Sequence, residues 1–314
     1  MQVAHGDSPA TSEAPAGRRA LLLLNRKARS GSAPIDAALG VFAEAGMTVE
    51  ELACSGAAAM TRAIRDRSEA FDCVIVGGGD GTLNCTASAI VDTQLPLGIL
   101  PLGTANDLAR TLDIPADPVA AARIIAAGEE RRIDVGEVND RLFFNVASIG
   151  FSAELARELT AEAKKRFGTL GYAIASARLL LRTRPFTAFI EHDGTTKKVK
   201  TVQISVGNGR FYGGGMTVDA AAEPDDGCLH VYSLEVDHWW RLIALAPWLR
   251  RGTQGSWSDV RAFTTGKVTI RTRRGRSVNT DGELTTATPA TFRVIPSAVR
   301  VYAPPSTRSP PPSP

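Results

Sequence analysis

The sequence predicts an α/β half built on a parallel sheet, followed by an antiparallel β-sandwich half. Three observations carry that expectation. From about Arg18 to Arg132, short continuous apolar runs alternate with stretches of helical period. After Ile133 the texture changes to alternating segments separated by turn residues. The chain has 314 residues, 44% of them hydrophobic and 22% charged, which is enough for two cores and too apolar for disorder.

In chain order, residues 20–24 are apolar throughout, as a strand covered on both faces must be. Helical periods follow over 35–45 and 64–70. Residues 73–76 form the next strand, 83–91 a helix, 97–100 a third strand, and 105–112 and 119–127 two more helices. Strand then helix, repeated, describes a Rossmann-like sheet wound on both sides. In the second half, 141–147, 188–192, 201–207, 228–234, 267–271 and 290–294 read as sandwich strands. Helical interruptions are expected over 152–184, where Leu155, Leu159, Ala177, Leu180 and Leu181 recur at helical spacing, and over 238–251. The expected domains are a tail at 1–17, an α/β nucleotide domain at 18–133 completed by 296–303, a sandwich domain at 134–295, and a Pro-rich tail at 304–314.

A formal net charge of +3 does not point to a nucleic-acid partner. The four cysteines, Cys54, Cys73, Cys85 and Cys228, form no CxxC pair, which suits a reduced, cytoplasmic setting. The apolar run at 20–24 is too short for a signal peptide or a membrane span. The stretch 239–248 is interrupted by Arg241 and Pro247.

The most informative segment is Gly77-Gly78-Gly79-Asp80-Gly81-Thr82, which joins a strand to a helix. Bare amides at a glycine-dense helix start attract anions. An Asp beside a phosphate implies a cation between them, or a base for an incoming hydroxyl, so Asp80 suggests Mg2+ or general-base chemistry. A ligand-free βα turn would use glycine in the same way. There is no Walker A lysine, and no ribose-binding acid at dinucleotide spacing. A second strand-to-loop junction, Leu100-Pro101-Leu102-Gly103-Thr104-Ala105-Asn106-Asp107, should open onto the same sheet edge. Thr104 or Asn106 suits a helix N-cap, a role that leaves Asp107 and Arg110 unexplained.

With these residues in view, the sequence resembles the bacterial diacylglycerol kinase and lipid kinase family, related to sphingosine kinases. The markers are Gly-Gly-Gly-Asp-Gly-Thr-Leu-Asn at 77–84, Leu-Pro-Leu-Gly-Thr-Ala-Asn-Asp-Leu-Ala at 100–109, Ile-Asp-Val-Gly at 133–136 and Phe-Phe-Asn-Val-Ala-Ser-Ile-Gly-Phe at 143–151. Gly-Asn-Gly at 207–209, Asp-Asp-Gly at 225–227 and Asp-Gly-Glu at 281–283 complete the set. The resemblance implies an ATP- and Mg2+-dependent kinase whose site lies between the halves. Gly78, Gly79, Asp80, Gly81, Thr82, Leu83, Asn84 and Thr104 would line the phosphates, with Asn25 approaching the nucleotide. Glu283 would take the place of the general base, in competition with Asp80, while Asp107 and Asp134 would organise Mg2+ and water. A structural Mg2+ would sit at Glu223, Asp226 and Cys228, partly through backbone carbonyls. Two departures from the family pattern are Leu52, where similar kinases carry a nucleotide-contacting Thr, and Ala220, where they carry Pro.

The acceptor implied is a lipid, diacylglycerol first, with a sphingoid base, phosphatidylglycerol or NAD as alternatives and a silent nucleotide- or lipid-binding module as a third class. Trp239, Trp240 and Trp248 stand beside Arg241, Arg250 and Arg251, a combination suited to peripheral docking on a membrane, or to packing on the sandwich. A homodimer is a further possible partner state.

Overall fold

The computed structural model describes residues 17–25, 33–54, 56–158, 183–213, 215–219 and 221–305. Its first half runs β1 (Arg19–Asn25), α1 (Ala33–Glu44), β2 (Thr48–Cys54), α2 (Ala57–Arg67), β3 (Cys73–Gly78), α3 (Asp80–Thr93), β4 (Leu97–Pro101), α4 (Asp107–Thr111) and α5 (Pro118–Ala127). The apolar runs become β1, β3 and β4, and Leu21 to Leu24 and Val74 to Val76 are buried. They pair in parallel in the order β2-β1-β3-β4. Their C-terminal loops therefore gather at one sheet edge. Local chemistry sets the helix limits: Asp117 accepts from Ala120 N at 2.9 Å at the start of α5, and Gly128 ends it at φ 77°. No apolar run marks β2, because it lies at the sheet edge and carries Glu50 and Glu51.

The second half contains β5 (Glu130–Val138), β6 (Arg141–Phe143), β7 (Val146–Gly150), α6 (Phe151–Glu158), β8 (Phe186–His192), β9 (Thr195–Thr201), β10 (Gln203–Gly207), β11 (Phe211–Tyr212) and β12 (Met216–Thr217). It continues with β13 (Leu229–Leu234), α7 (Trp239–Arg251), β14 (Val260–Thr265), β15 (Lys267–Thr272), β16 (Ser277–Thr280), β17 (Glu283–Ala287) and β18 (Ala290–Tyr302). One antiparallel sheet has the order β14-β13-β10-β7-β16-β17. It faces β5, β18, β15, β8 and β9, and Phe143, Ile149, Ile190, Ile204, Val231, Ile270 and Phe292 fill the space between. This is the expected sandwich beside the expected α/β layer.

β18 joins the halves. Its first part pairs with β15, its ladder is irregular between Ile295 and Val299, and Val301 then pairs in parallel with Leu97 of β4. The position 133/134 falls inside β5. The run 141–147 divides at Phe144 and Asn145, whose amides turn toward a carboxylate, and 201–207 divides at Val202. Of the helix expected over 152–184, α6 is seen; Leu159, Ala177, Leu180 and Leu181 lie outside the described residues. Among the described residues no helix is long and apolar enough to cross a membrane.

Candidate active site

β3 ends at Gly78 and α3 starts at Asp80, so the glycine run is a strand-to-helix turn around Gly79. Close approach makes glycine necessary: a Cβ on Gly103 would lie 2.5 Å from Gly79 Cα, and one on Gly78 2.6 Å from the Thr82 side chain. The two loops thus touch through their backbones, and Leu102 N donates to Gly78 O at 3.0 Å. Asn106, left-handed at φ 50°, braces the second loop by accepting from Gly103 N and donating to Gly103 O, both at 2.9 Å. No side chain caps α3, so the positive end of its dipole faces the turn.

The residues expected to line phosphates lie in different surroundings. Asp80 Oδ1 accepts from Leu108 N at 3.1 Å, which ties the first loop to α4. Leu83 is buried in the core, leaving only its backbone near the loop. Asn84 reaches the other half, donating to Thr280 O at 3.3 Å. Asn25 ends β1 at the same edge, since neighbouring Leu24 pairs with Gly77; its side chain lies outside the described residues.

Glu283 follows a two-residue hairpin turn. Asp281 and Gly282 have φ of 48° and 96°, the pattern of a type I′ turn, and Thr280 pairs with Glu283. The Asp281 carboxylate receives three amides: Phe144 N at 2.7 Å, Asn145 N at 3.0 Å and Val146 N at 2.9 Å. Burial pushes its carboxyl up to about 7 against the pull of those donors, and Asp80 adds repulsion. The hairpin brings Glu283 to the helix start: Oε1 lies 3.5 Å from where a Cβ on Gly81 would stand. Glu283 is exposed and accepts no hydrogen bond among the described residues.

Two cavities flank this contact, one lined by Gly81 and Glu283 and the other by their chain neighbours Asp80 and Gly282. The smaller, about 310 Å3, is bounded by Gly79, Gly81, Thr82, Cys85 and Glu283, with Gly56 and Met60 from the start of α2. The larger, about 540 Å3, has Asp80, Thr104, Asp107, Asn145 and Asp281 in its lining, together with Leu155, Ala156, Tyr212 and Met216; no Lys, Arg or His among the described residues lines it. Thr104 therefore faces a different cavity from Gly79 and Thr82. Asp281, Asn145, Tyr212 and Met216 carry no role in the sequence reading; only the Asp-Gly of the turn hinted at one of them.

Asp134 lies away from both cavities. Its buried carboxylate accepts from Gly227 N and Ser297 N, both at 2.7 Å, and so clamps a turn to β18 instead of organising the site. At the turn where Mg2+ is implied, Asp226 Oδ1 accepts from Cys228 N at 2.9 Å and Oδ2 from Glu223 N at 3.1 Å. The same Oδ2 is 2.7 Å from His230 Nε2, and His230 Nδ1 is 3.6 Å from Asp219. Burial acts to lower the His230 pKa, yet the two carboxylates outweigh it and raise it to about 9. A divalent ion at Asp226 would share Oδ2 with the His230 imidazole. Among the described residues no group of three or more His, Cys, Asp or Glu could hold a metal.

A glycine-walled helix start with a carboxylate beside it is an arrangement that suits phosphoryl transfer. The family comparisons agree. Residues 19–138 match the diacylglycerol kinase catalytic domain, and residues 145–303 match the YegS C-terminal NAD kinase beta sandwich-like domain. A Mycobacterium tuberculosis protein named diacylglycerol kinase is 32% identical over 241 residues, covering 74% of this chain and 77% of the relative. A Pseudomonas aeruginosa protein named "Probable lipid kinase YegS-like" is 30% identical over 299 residues, 93% of this chain and 98% of its own. A crystal structure from Bacillus anthracis str. Sterne shares the fold, with a TM-score of 0.82 at 24% identity, covering 97% of this chain and 100% of the other. The chain belongs to the diacylglycerol kinase and YegS-like lipid kinase family, and ATP is the phosphoryl donor that membership implies.

Proposed function

We propose that this protein transfers the γ-phosphoryl group of ATP, with Mg2+, to the free hydroxyl of diacylglycerol, giving phosphatidic acid. The observation that carries the reading is the approach of Glu283 to Gly81, with one cavity lined by both residues and a second lined by Asp80 and Gly282 beside them. The smaller lies at the uncapped start of α3 and suits a polyphosphate. The larger combines carboxylates with Leu155, Ala156, Tyr212 and Met216 and suits an alcohol on an acyl glycerol. Its described lining carries Asp80, Asp107 and Asp281, with Arg110 Nη1 3.9 Å from Asp107. The name of the Mycobacterium tuberculosis relative points to the same acceptor. The carboxylates also favour a second reading, a sphingoid base, whose ammonium they would pair with.

In this reading Gly78, Gly79, Gly81 and Thr82 bring backbone and helix dipole to the phosphates. Glu283 removes the proton as the acceptor oxygen bonds to the γ-phosphorus and ADP departs with the electron pair of the broken bond. Asp80 suits that task less, since Leu108 N already holds Oδ1; Asp80 and Asp107 would hold Mg2+ at the phosphates. When bound, Mg2+ neutralises the charge on the transferred group. Docking on a membrane is supported by α7, where Trp240 is 52% and Trp248 36% exposed and Arg250 and Arg251 form the last turn. Thr217 Oγ1 donates to Arg250 O at 3.0 Å, placing α7 against β12, whose Met216 lines the larger cavity.

Label transfer from radioactive ATP to micelles of diacylglycerol, sphingosine or phosphatidylglycerol tests the acceptor. Labelled phosphatidic acid, lost on chelation of Mg2+, is expected. Labelled product from phosphatidylglycerol alone would overturn the reading.

A further inference from the structure

A cavity of about 220 Å3 lies outside the site described above, between the start of α6 and the turn that joins β15 to β16. Among the described residues Arg157, Arg274 and Arg276 line it with one carboxylate, Glu154, beside Gly150 and Gly275. Arg276 is fixed in place: Nη1 donates to Glu154 Oε1 at 2.8 Å, and its guanidinium carbon lies 3.9 Å from the centre of the Phe186 ring. Arg157 donates to the Ser277 hydroxyl. Among the described residues neither Arg157 nor Arg274 pairs with a carboxylate. Solvated arginines are common on surfaces, but these surround a concave space with surplus positive charge and one preoriented guanidinium. That arrangement fits the oxygens of a phosphate.

The location gives the phosphate its source. Helix α6 has two working faces: Ser152, Leu155 and Ala156 line the larger active-site cavity, whereas Glu154 and Arg157 line this one. A bilayer passing an acyl chain along Leu155 and Ala156 would present headgroup phosphates to Arg157 within one helical turn. We propose that the Arg157–Arg274–Arg276 cavity binds the phosphate of an anionic phospholipid in the membrane surface, as a second lipid contact separate from the acceptor. It needs no turnover, so it stands whichever lipid hydroxyl is phosphorylated.

The test uses the full chain without nucleotide, titrated with phosphatidylcholine vesicles and with vesicles that also contain phosphatidylserine. Phosphatidylserine should strengthen binding. Arg157→Ala/Arg274→Ala should remove that gain by roughly thirtyfold, the expected loss for two cations at an anionic surface, while binding to pure phosphatidylcholine and the melting temperature stay unchanged. Arg274→Glu, at an exposed turn position, should abolish the gain alone. Arg62→Ala/Arg123→Ala, exposed on α2 and α5, removes equal charge elsewhere and should keep it. An equal loss in that control pair, or none in Arg157→Ala/Arg274→Ala, would overturn the proposal. So would a melting temperature raised by inorganic phosphate in the wild type alone with no response to phosphatidylserine, since the site would then serve free phosphate.

Discussion

Asn84 Nδ2 donates to Thr280 O across 3.3 Å, joining the helix that opens the phosphate loop to the strand that leads into the Asp-Gly-Glu turn. The partners are 196 positions apart, one in the α/β layer and one in the sandwich. β18 holds the two halves together, whereas this bond acts inside the site, where it bears on the distance between Gly81 and Glu283.

Asn84→Ala should therefore affect rate more than folding. One hydrogen bond accounts for about 1 kcal/mol of stability, a small change in melting temperature. The kcat should fall about tenfold or more with ATP KM little altered, because misplacing a reacting group is costly. Steady-state kinetics beside thermal denaturation reads both, and an unchanged kcat would mean that the hairpin is positioned by other contacts.

Glu283→Gln removes the proposed base and leaves the smaller cavity nearly isosteric. The expected loss in kcat is about 10²–10⁴-fold with ATP binding retained, as measured by calorimetry. Asp80→Asn should instead weaken the apparent affinity for Mg2+. If Asp80→Asn lost all turnover at saturating Mg2+ while Glu283→Gln kept its rate, the two roles would have to be exchanged.

The raised pKa of Asp281 predicts a pH-dependent rate. Its ionised form accepts three amides that hold the turn before Glu283, and burial pushes its carboxyl up to about 7. Turnover should rise with pH and be about half-maximal near pH 7, and Asp281→Asn should flatten that limb. Stability runs the other way. The folded state binds this proton more tightly than the unfolded chain, so the contribution of Asp281 is largest below about pH 4 and is lost as pH rises through about 7. Melting curves across that window should fall less in Asp281→Asn than in the wild type.

The central strands were legible in the sequence because β1, β3 and β4 are buried on both faces and must be apolar throughout. β2 and β9 were not, because edge strands carry charge, Glu50 and Glu51 in one, Lys197, Lys198 and Lys200 in the other. The glycine loops were legible for a steric reason, the backbone contact of Gly103 with Gly79. Asp281 was hidden because its function arises where its carboxylate meets the amides of 144–146, a contact that the docking of β7 on β16 creates. Thr104 and Thr82 read as one set, yet they face different cavities, because the sandwich decides which side of a loop is enclosed, and no local pattern records that.

The exposed aromatics of α7 offer a test of how acceptor and membrane are connected. Leu245 is buried and Leu242 and Leu249 pack against the cluster that contains Tyr212 and Tyr232, so the helix has an inner face that keeps it in place without the tryptophans. The Arg241 guanidinium lies over the half-exposed Trp240 ring, and Trp248 meets the edge of Trp257 at a centroid distance of 5.1 Å. Trp240→Ala/Trp248→Ala should leave ATP binding intact and lower the melting temperature only slightly. Each lost ring removes an interfacial anchor, so vesicle binding should weaken by about tenfold or more, and turnover of diacylglycerol in vesicles should fall while turnover of a short-chain, water-soluble analogue is spared. A variant equally impaired on both substrates would instead place these tryptophans in packing, with their effect transmitted through Met216 to the cavity wall.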